Sequence, residues 1–293
     1  MKNLIIVTGG SGFVGSNLIK HFLKKTNYNI ISIDNYSSGS KKNHITNSRV
    51  VYKNSETKNI SKIIKNPKEI DALFHFGEFS RIYQSFVSFD QCIESNNIGT
   101  NSIISFCLKY NIRLIYSATS ASLGNNGNDK NLSPYAFTKS QNLELLENLK
   151  KWFKFKYEIV YFYNVYGPRQ ISKGSMATVV GIFQDYYLKN KKLPVVRPGT
   201  QSRRFTHVQD TINTCYEAWK FNKNKHYSIS SKKSYSILQL AKMFNTELKF
   251  LPPRKGERYA SALNKMNLNN KINQRYGKID LKQYIEQFIK RKN

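Results

Sequence analysis

The run Thr8-Gly9-Gly10-Ser11-Gly12-Phe13-Val14-Gly15 constrains the fold most. It follows a short apolar stretch, residues 4–7, and precedes Val14, Leu18, Phe22 and Leu23 at helical spacing. A strand that turns through glycines into a helix is half of a βαβ unit. Glycine permits the tight turn and lets backbone N–H groups approach a diphosphate at the positive end of the helix. Asp34 closes the next apolar stretch, about 20 residues further on, where a carboxylate accepts a ribose hydroxyl. It would repel a 2′-phosphate, so the spacing favours NAD over NADP. Lys41 and Lys42 lie close enough to soften that preference.

Further apolar runs at 30–33, 50–52, 72–76, 113–117 and 158–163 read as buried strands. Helical patterns alternate with them, as in Ile103, Phe106, Cys107 and Tyr110. This alternation predicts right-handed crossovers and a parallel sheet. The pattern breaks near residue 165. Beyond it, isolated helices are expected at 177–189, 237–244 and 281–291, among loops rich in Gly, Pro and Lys. The expected architecture is α/β: a Rossmann-like doubly wound parallel sheet with a smaller C-terminal substrate-binding domain. Residues 1–165 would form the dinucleotide-binding domain, with a segment near 205–235 returning to it, and 166–293 the smaller one.

Composition excludes several classes. A hydrophobic content of 40% suits a globular protein. No uncharged apolar run approaches the roughly 18 residues of a membrane span, and the N-terminus does not read as a signal peptide. A cytoplasmic protein without a membrane partner is expected. Cys92, Cys107 and Cys215 are far apart and read as reduced packing thiols; no metal site is expected. The net charge of +29 invites a polyanion partner, yet the lysines are scattered rather than clustered. Asn is abundant too, at 32 residues. Lys and Asn rising together point to base-composition bias, so no specific nucleic-acid partner is expected. The field would still steer a small anionic substrate.

The stretch Ser133-Pro134-Tyr135-Ala-Phe-Thr-Lys139 carries the chemistry. Ser133 suits a helix N-cap and Pro134 the first helical position. Tyr135 and Lys139 then share one helix face, a turn apart. A free phenol titrates near pH 10, and a neighbouring ammonium and a cationic nicotinamide ring both favour the phenolate. Thr119 sits at the carboxyl end of a buried strand, where open parallel sheets bind ligands.

These residues resemble the extended short-chain dehydrogenase/reductases, in the nucleotide-sugar epimerase/dehydratase branch. The resemblance runs over nearly the whole chain. It includes His75-Phe76-Gly77, Asn96 to Thr100, Tyr161-Phe162-Tyr163-Asn164-Val165-Tyr166-Gly167-Pro168-Arg169, and Arg203-Arg204-Phe205-Thr206-His207-Val208-Gln209-Asp210. It implies a homodimer and a nucleotide-sugar substrate. It implies an NAD site made by Gly9, Gly12, Phe13, Val14, Gly15, Asp34, Asn35, Asn54, Phe76, Gly77, Asn96 and Lys139. Thr119 would hold the sugar hydroxyl, Tyr135 act as acid/base, and Lys139 bind the nicotinamide ribose. Asn164 would contact the substrate, with Arg203 and Arg254 on its diphosphate; Ser80, Ser175 and Tyr259 would complete that site. Arg81 either reaches phosphate or sugar, or pairs with Glu78 or another acid.

The departures are informative. Leu123 stands where many relatives have Tyr, and Asn54 where they often have Asp. In the resemblance, 4,6-dehydratases carry Asp-Glu directly after the threonine; here the residues are Ser120 and Ala121. The glutamate of the decarboxylases is missing from this stretch as well, and no Cys lies near Thr119 to match reducing epimerases. Simple epimerisation is implied, with 4-epimerisation of a UDP-hexose for surface glycan precursors preferred. The alternative is similar to ADP-heptose 6-epimerase, in which Lys173, in Lys173-Gly174-Ser175-Met176, would be a second acid/base; Arg258-Tyr259 also resembles that enzyme. A non-catalytic dinucleotide-binding protein is the third reading, against which the intact Thr119, Tyr135 and Lys139 argue.

Overall fold

Eight parallel strands share one sheet, and the apolar runs of its interior strands are buried on both faces. The computed structural model describes residues 2–123, 129–254 and 272–292. The first half holds β1 (Leu4–Thr8), α1 (Phe13–Lys25), β2 (Asn29–Asp34), β3 (Val50–Asn54), α2 (Ile60–Ile63) and β4 (Ile70–His75). There follow α3 (Ile82–Val87), α4 (Phe89–Ile93), α5 (Thr100–Lys109), β5 (Arg113–Thr119), α6 (Pro134–Phe153) and β6 (Tyr157–Phe162). The second half contains β7 (Val165–Tyr166), α7 (Val179–Leu188), β8 (Leu193–Val196), β9 (Ser202–Arg204), β10 (Thr206–His207) and α8 (Val208–Phe221). It ends with β11 (His226–Ser230), β12 (Ser234–Ser236), α9 (Ile237–Lys242), β13 (Leu248–Leu251), β14 (Ile272–Tyr276) and α10 (Leu281–Lys290).

The large sheet has the order β3-β2-β1-β4-β5-β6-β11-β14. The chain leaves β1 in one direction and returns at β4 to build in the other. The switch point therefore lies between β1 and β4, where such sheets open a crevice at their carboxyl ends. On one face α1 and α8 cover Ile5, Val7, Phe74 and Ile115; Phe22 packs edge-on to Phe74, Tyr216 and Trp219. Trp219 also donates to Asp71 at 2.6 Å, which ties α8 to the start of β4. On the other face α5 and α6 cover Ile6, Leu73, Leu114 and Ile159. A third apolar cluster, with Tyr166, Phe183, Val195, Phe205, Phe244 and Ile285, forms the core of the smaller part.

Each expected strand of the first half is present, and helices occur near 177–189, 237–244 and 281–291 as expected. Two features differ. Residues 50–52 do not form a buried strand: β3 is the sheet edge, and Val51 is 47% exposed. With β2 as its one neighbour it leaves an edge open, which an apolar run cannot reveal. The sheet also takes β14 as its other edge, beyond the returning β11. The pattern N-Q-R at 273–275 lacks the apolar run that marks an interior strand. No helix among the described residues is long and apolar enough to cross a membrane.

Leu73 and Val51 test which face carries stability. Leu73→Ala, at a fully buried site, is expected to cost about 2–5 kcal/mol by urea denaturation. Val51→Ala, at the open edge, is expected to change stability by less than about 0.5 kcal/mol. Equal losses would contradict this layering.

Candidate active site

The site begins with two loops in backbone contact. A Cβ on Gly9, at φ +66°, would lie 2.8 Å from the Phe76 carbonyl, and one on Gly77 would lie 2.9 Å from the Gly9 nitrogen. Only glycines let the ends of β1 and β4 approach this closely. Gly12 is the N-cap of α1 and has no side chain to cap it. The first N–H groups of that helix therefore face the cleft beside Gly12, Phe13 and Val14, ready for an anion. Gly15 is tighter still: its Cβ would lie 2.2 Å from the Gly9 oxygen.

Asp34 braces this turn. Its carboxylate accepts from Ser11 N at 2.9 Å and Tyr36 N at 2.8 Å. Burial raises its pKa, while N–H groups from Tyr36, Ser11 and Gly12 pull it down. Asn35 lines the cleft beside it. Asn54 does not: it is exposed at the end of β3, and Ser55, Glu56 and Thr57 take the position facing the cleft.

A polar chain runs from the glycine loop towards Lys139. Thr8 Oγ1 accepts from the N–H groups of Phe76 and Gly77, so its own proton points to His75 Nδ1, 2.7 Å away. His75 Nε2 is then the donor to Thr100 Oγ1 at 2.9 Å, and Thr100 donates to Glu78 at 2.9 Å. Burial lowers the His75 pKa to about 4 and holds the ring neutral, as this pattern requires. Glu78 also accepts from Tyr116 at 3.0 Å and pairs with Lys139.

Asn96 was expected to touch the cofactor and is instead a brace. It accepts from Phe79 N at 2.7 Å and donates to Phe79 O and Thr138 Oγ1, both at 3.1 Å. It is buried, with its amide spent on the loop that carries Glu78. Arg81 does not pair with Glu78. Its guanidinium donates twice to the Met176 carbonyl, at 3.1 and 2.6 Å, and closes the cleft between two loops.

The reactive residues converge as the spacing predicts. Ser133 accepts from Ala136 N at 3.1 Å and caps α6, with Pro134 in its first turn. Tyr135 and Lys139 line the cleft, as do Thr119, Phe76, Gly77, Ser80 and Arg81. Thr119 ends β5 and accepts from Ala121 N at 3.1 Å. Asn164, at φ 38°, is held by the Arg204 carbonyl and faces the same space. Lys173, Ser175, Arg203 and Arg254 complete the wall; Arg254 lies over the Tyr83 ring. Lys173 is 71% exposed and 3.8 Å from Asp185, so it stands on the rim. Arg258 and Tyr259 fall outside the described residues. The cleft holds about 1170 Å³. That exceeds the roughly 300–1,000 Å³ of a single small-molecule site, leaving room for two ligands end to end. Among the described residues, no cluster of three His, Cys, Asp or Glu side chains is arranged to hold a metal.

Neutral His75 sets an acid limit on the fold. Its folded pKa, about 4, lies below the ordinary 6.5, so the unfolded chain binds the extra proton first. Its contribution is fully present above pH 6.5 and is lost as pH falls towards 4, up to about 3 kcal/mol. Urea denaturation at pH 7 and 4.5 should show that loss, and His75→Gln should flatten it. An unchanged pH slope in the variant would assign the loss to other groups.

Comparison with known proteins agrees with this geometry. The model of the NAD dependent epimerase/dehydratase family matches residues 5–230. A Methanocaldococcus jannaschii protein provisionally named UDP-glucose 4-epimerase is 29% identical over 272 residues, 87% of this chain and 88% of its own. The ADP-L-glycero-D-manno-heptose-6-epimerase of Brachyspira hyodysenteriae is 28% identical over 257 residues, 82% of this chain and 79% of its own. The Thermotoga maritima UDP-glucose 4-epimerase, solved with UDP-glucose, superposes with a TM-score of 0.84 at 23% identity, covering 98% of this chain and 97% of that one. The Thermus thermophilus UDP-glucose 4-epimerase, solved with NAD, gives 0.84 at 21% identity, covering 99% and 98%. The fold is theirs, and the protein belongs to the NAD dependent epimerase/dehydratase family, as an epimerase whose cofactor is NAD.

Proposed function

We propose that the protein interconverts the 4-epimers of a UDP-hexose. One observation carries the reading: Thr119, Tyr135 and Lys139 line one wide cleft, and no carboxylate follows Thr119 directly. The residues after Thr119 are Ser120 and Ala121, both buried and without a carboxylate to expel a further hydroxyl. Lys173 stands on the rim, which disfavours a second acid/base. The name of the Methanocaldococcus relative agrees.

In this reading the uncapped turn at Gly12, Phe13 and Val14 holds the NAD diphosphate, and Asp34 a ribose hydroxyl. Gly9, Gly15, Phe76 and Gly77 shape that half, with Asn35 beside it. Bound NAD supplies reversible acceptance of a hydride. The remaining work falls to the chain. Thr119 orients the sugar by its 4-hydroxyl. Tyr135 takes the proton as the carbon becomes a ketone, then returns it after the sugar has turned its other face. Lys139 holds the nicotinamide ribose. Arg203 and Arg254 grip the substrate diphosphate, where a guanidinium fork matches phosphate oxygens. Ser80, Arg81, Asn164 and Ser175 border the sugar.

The proposal extends to the setting. Residues 1–165 with the returning strands form the NAD domain, and the rest mainly the substrate domain. The enzyme acts in the cytoplasm and supplies a precursor for surface polysaccharide. It works as a homodimer: Val87, Phe89, Ile98 and Phe137, on the layer formed by α3 to α6, are all more than 40% exposed. Such a patch is unusual on a monomer. Sedimentation should give twice the mass of 34.0 kDa, and Phe89→Glu should halve it; a monomeric wild type would refute the dimer.

Tyr135→Phe is the direct test. With NAD and UDP-glucose, the wild type should form UDP-galactose by NMR. The variant should lose at least about 1,000-fold in turnover while binding NAD normally. Near-normal turnover by the variant would defeat the mechanism. Conversion of ADP-heptose alone would transfer the second acid/base role to Lys173.

A further inference from the structure

Lys139 is the cation of the proposed mechanism, and it is almost wholly buried. Its side chain is 4% exposed and that of Glu78 is 2% exposed. A lone ammonium in such a place would shed its proton. Here the Nζ donates to the Glu78 carboxylate and to the Ser117 carbonyl, and lies 4.6 Å from the centre of the Tyr116 ring. An ammonium has three N–H groups. Two are committed, and one remains for the cleft that Lys139 lines.

The Glu78 carboxylate is itself held from every side. One oxygen accepts from Thr100 at 2.9 Å, Tyr116 at 3.0 Å and Asn142 at 3.4 Å; the other takes Lys139. Its backbone is set by Gly77, which permits contact with Gly9, and by Asn96 and Ser95 on Phe79 N. Nothing in this arrangement lets Glu78 swing away without stranding several donors.

We propose that Glu78 is a positioning residue for the reaction: it keeps the buried Lys139 charged and aims that residue's one uncommitted N–H at the cofactor ribose. This rests on the reading of Lys139 given above and adds to it the acid without which the lysine could not serve. The neighbours leave Glu78 as its counter-charge among the described residues. From β4, His75 is neutral, its pKa lowered to about 4 by burial. From α4, burial pushes the Cys92 thiol up to about 11. From β5, burial holds the Tyr116 phenol protonated. Thr100 on α5 and Asn142 on α6 do not ionise. Tyr135 lies one turn before Lys139, and Arg81 faces Tyr135 from the loop. Burial lowers the Lys139 pKa and Glu78 opposes it. Without Glu78, desolvation would act unopposed by that carboxylate and the ammonium would give up its proton more readily.

The test is NAD affinity by calorimetry at pH 6, 7, 8 and 9, with UDP-glucose turnover measured alongside. The wild type should bind NAD equally well throughout. Glu78→Gln should match it at pH 6 and weaken about tenfold by pH 9, as the charged hydrogen bond is lost. Glu78→Asp should recover part of the difference. A Glu78→Gln profile as flat as the wild type, with Lys139→Met impaired, overturns the role of Glu78 alone. A Lys139→Met protein that binds NAD and turns over like the wild type overturns the reading of Lys139 itself. If Glu78→Gln unfolds too readily to assay, the double variant Glu78→Gln/Lys139→Met should melt higher than Glu78→Gln, because no unpaired charge is left buried. A double variant no more stable than the single one overturns the pairing.

Discussion

The line of polar contacts Thr8–His75–Thr100–Glu78–Lys139 is the interaction on which the rest of the site depends. It crosses the carboxyl ends of β1, β4 and β5, where each strand delivers one functional loop. Every proton along it has a direction. The backbone N–H groups of Phe76 and Gly77 fix the Thr8 hydroxyl, which fixes the His75 tautomer, which fixes Thr100. The chain of donors must end on an acceptor, and Glu78 is that acceptor. A buried network of this kind is costly if any member is missing, since each orphaned group keeps its desolvation cost. The glycine loop, the β4 loop and the reactive lysine are thus parts of one unit.

That unit was only half legible in the sequence. The glycine turn, Asp34 and the Tyr135–Lys139 pair are local patterns, and each lines the cleft as its spacing implies. Glu78 was missed because its partners come from three distant elements: Lys139 is 61 residues away and Thr100 is 22. The available signal was an acid directly after His75-Phe76-Gly77, a position facing the switch point. Asn96 shows the reverse error. A polar residue at a family position read as a ligand contact, yet its amide is saturated by the Phe79 backbone. Asn54 is exposed at the end of β3, and Ser55, Glu56 and Thr57 line the cleft instead. Arg81 left two readings open; it does not pair with Glu78, and its guanidinium bonds the Met176 carbonyl while lining the cleft.

The fold was more legible than its edges. Strands buried on both faces advertise themselves as unbroken apolar runs, as in β1 and β5. The edges are harder: the run at 50–52 marks β3 as a strand without showing that it lies at the edge, and β14, which lacks such a run, is revealed only by its pairing with β11. The thiols of Cys92, Cys107 and Cys215 are buried, and burial raises all three pKa values, which suits packing better than reactivity. The charge of +29 has a local counterpart in the cleft, where Arg81, Lys173, Arg203 and Arg254 gather around space for anionic ligands.

The central claim is that one acid/base and a returned hydride invert C4. The most direct measurement is NMR of UDP-glucose incubated with the NAD-loaded enzyme in deuterium oxide. The account predicts inversion at C4 with the original hydrogen retained there and no deuterium at C3 or C5. Deuterium entering the ring, or inversion at any carbon other than C4, would contradict it.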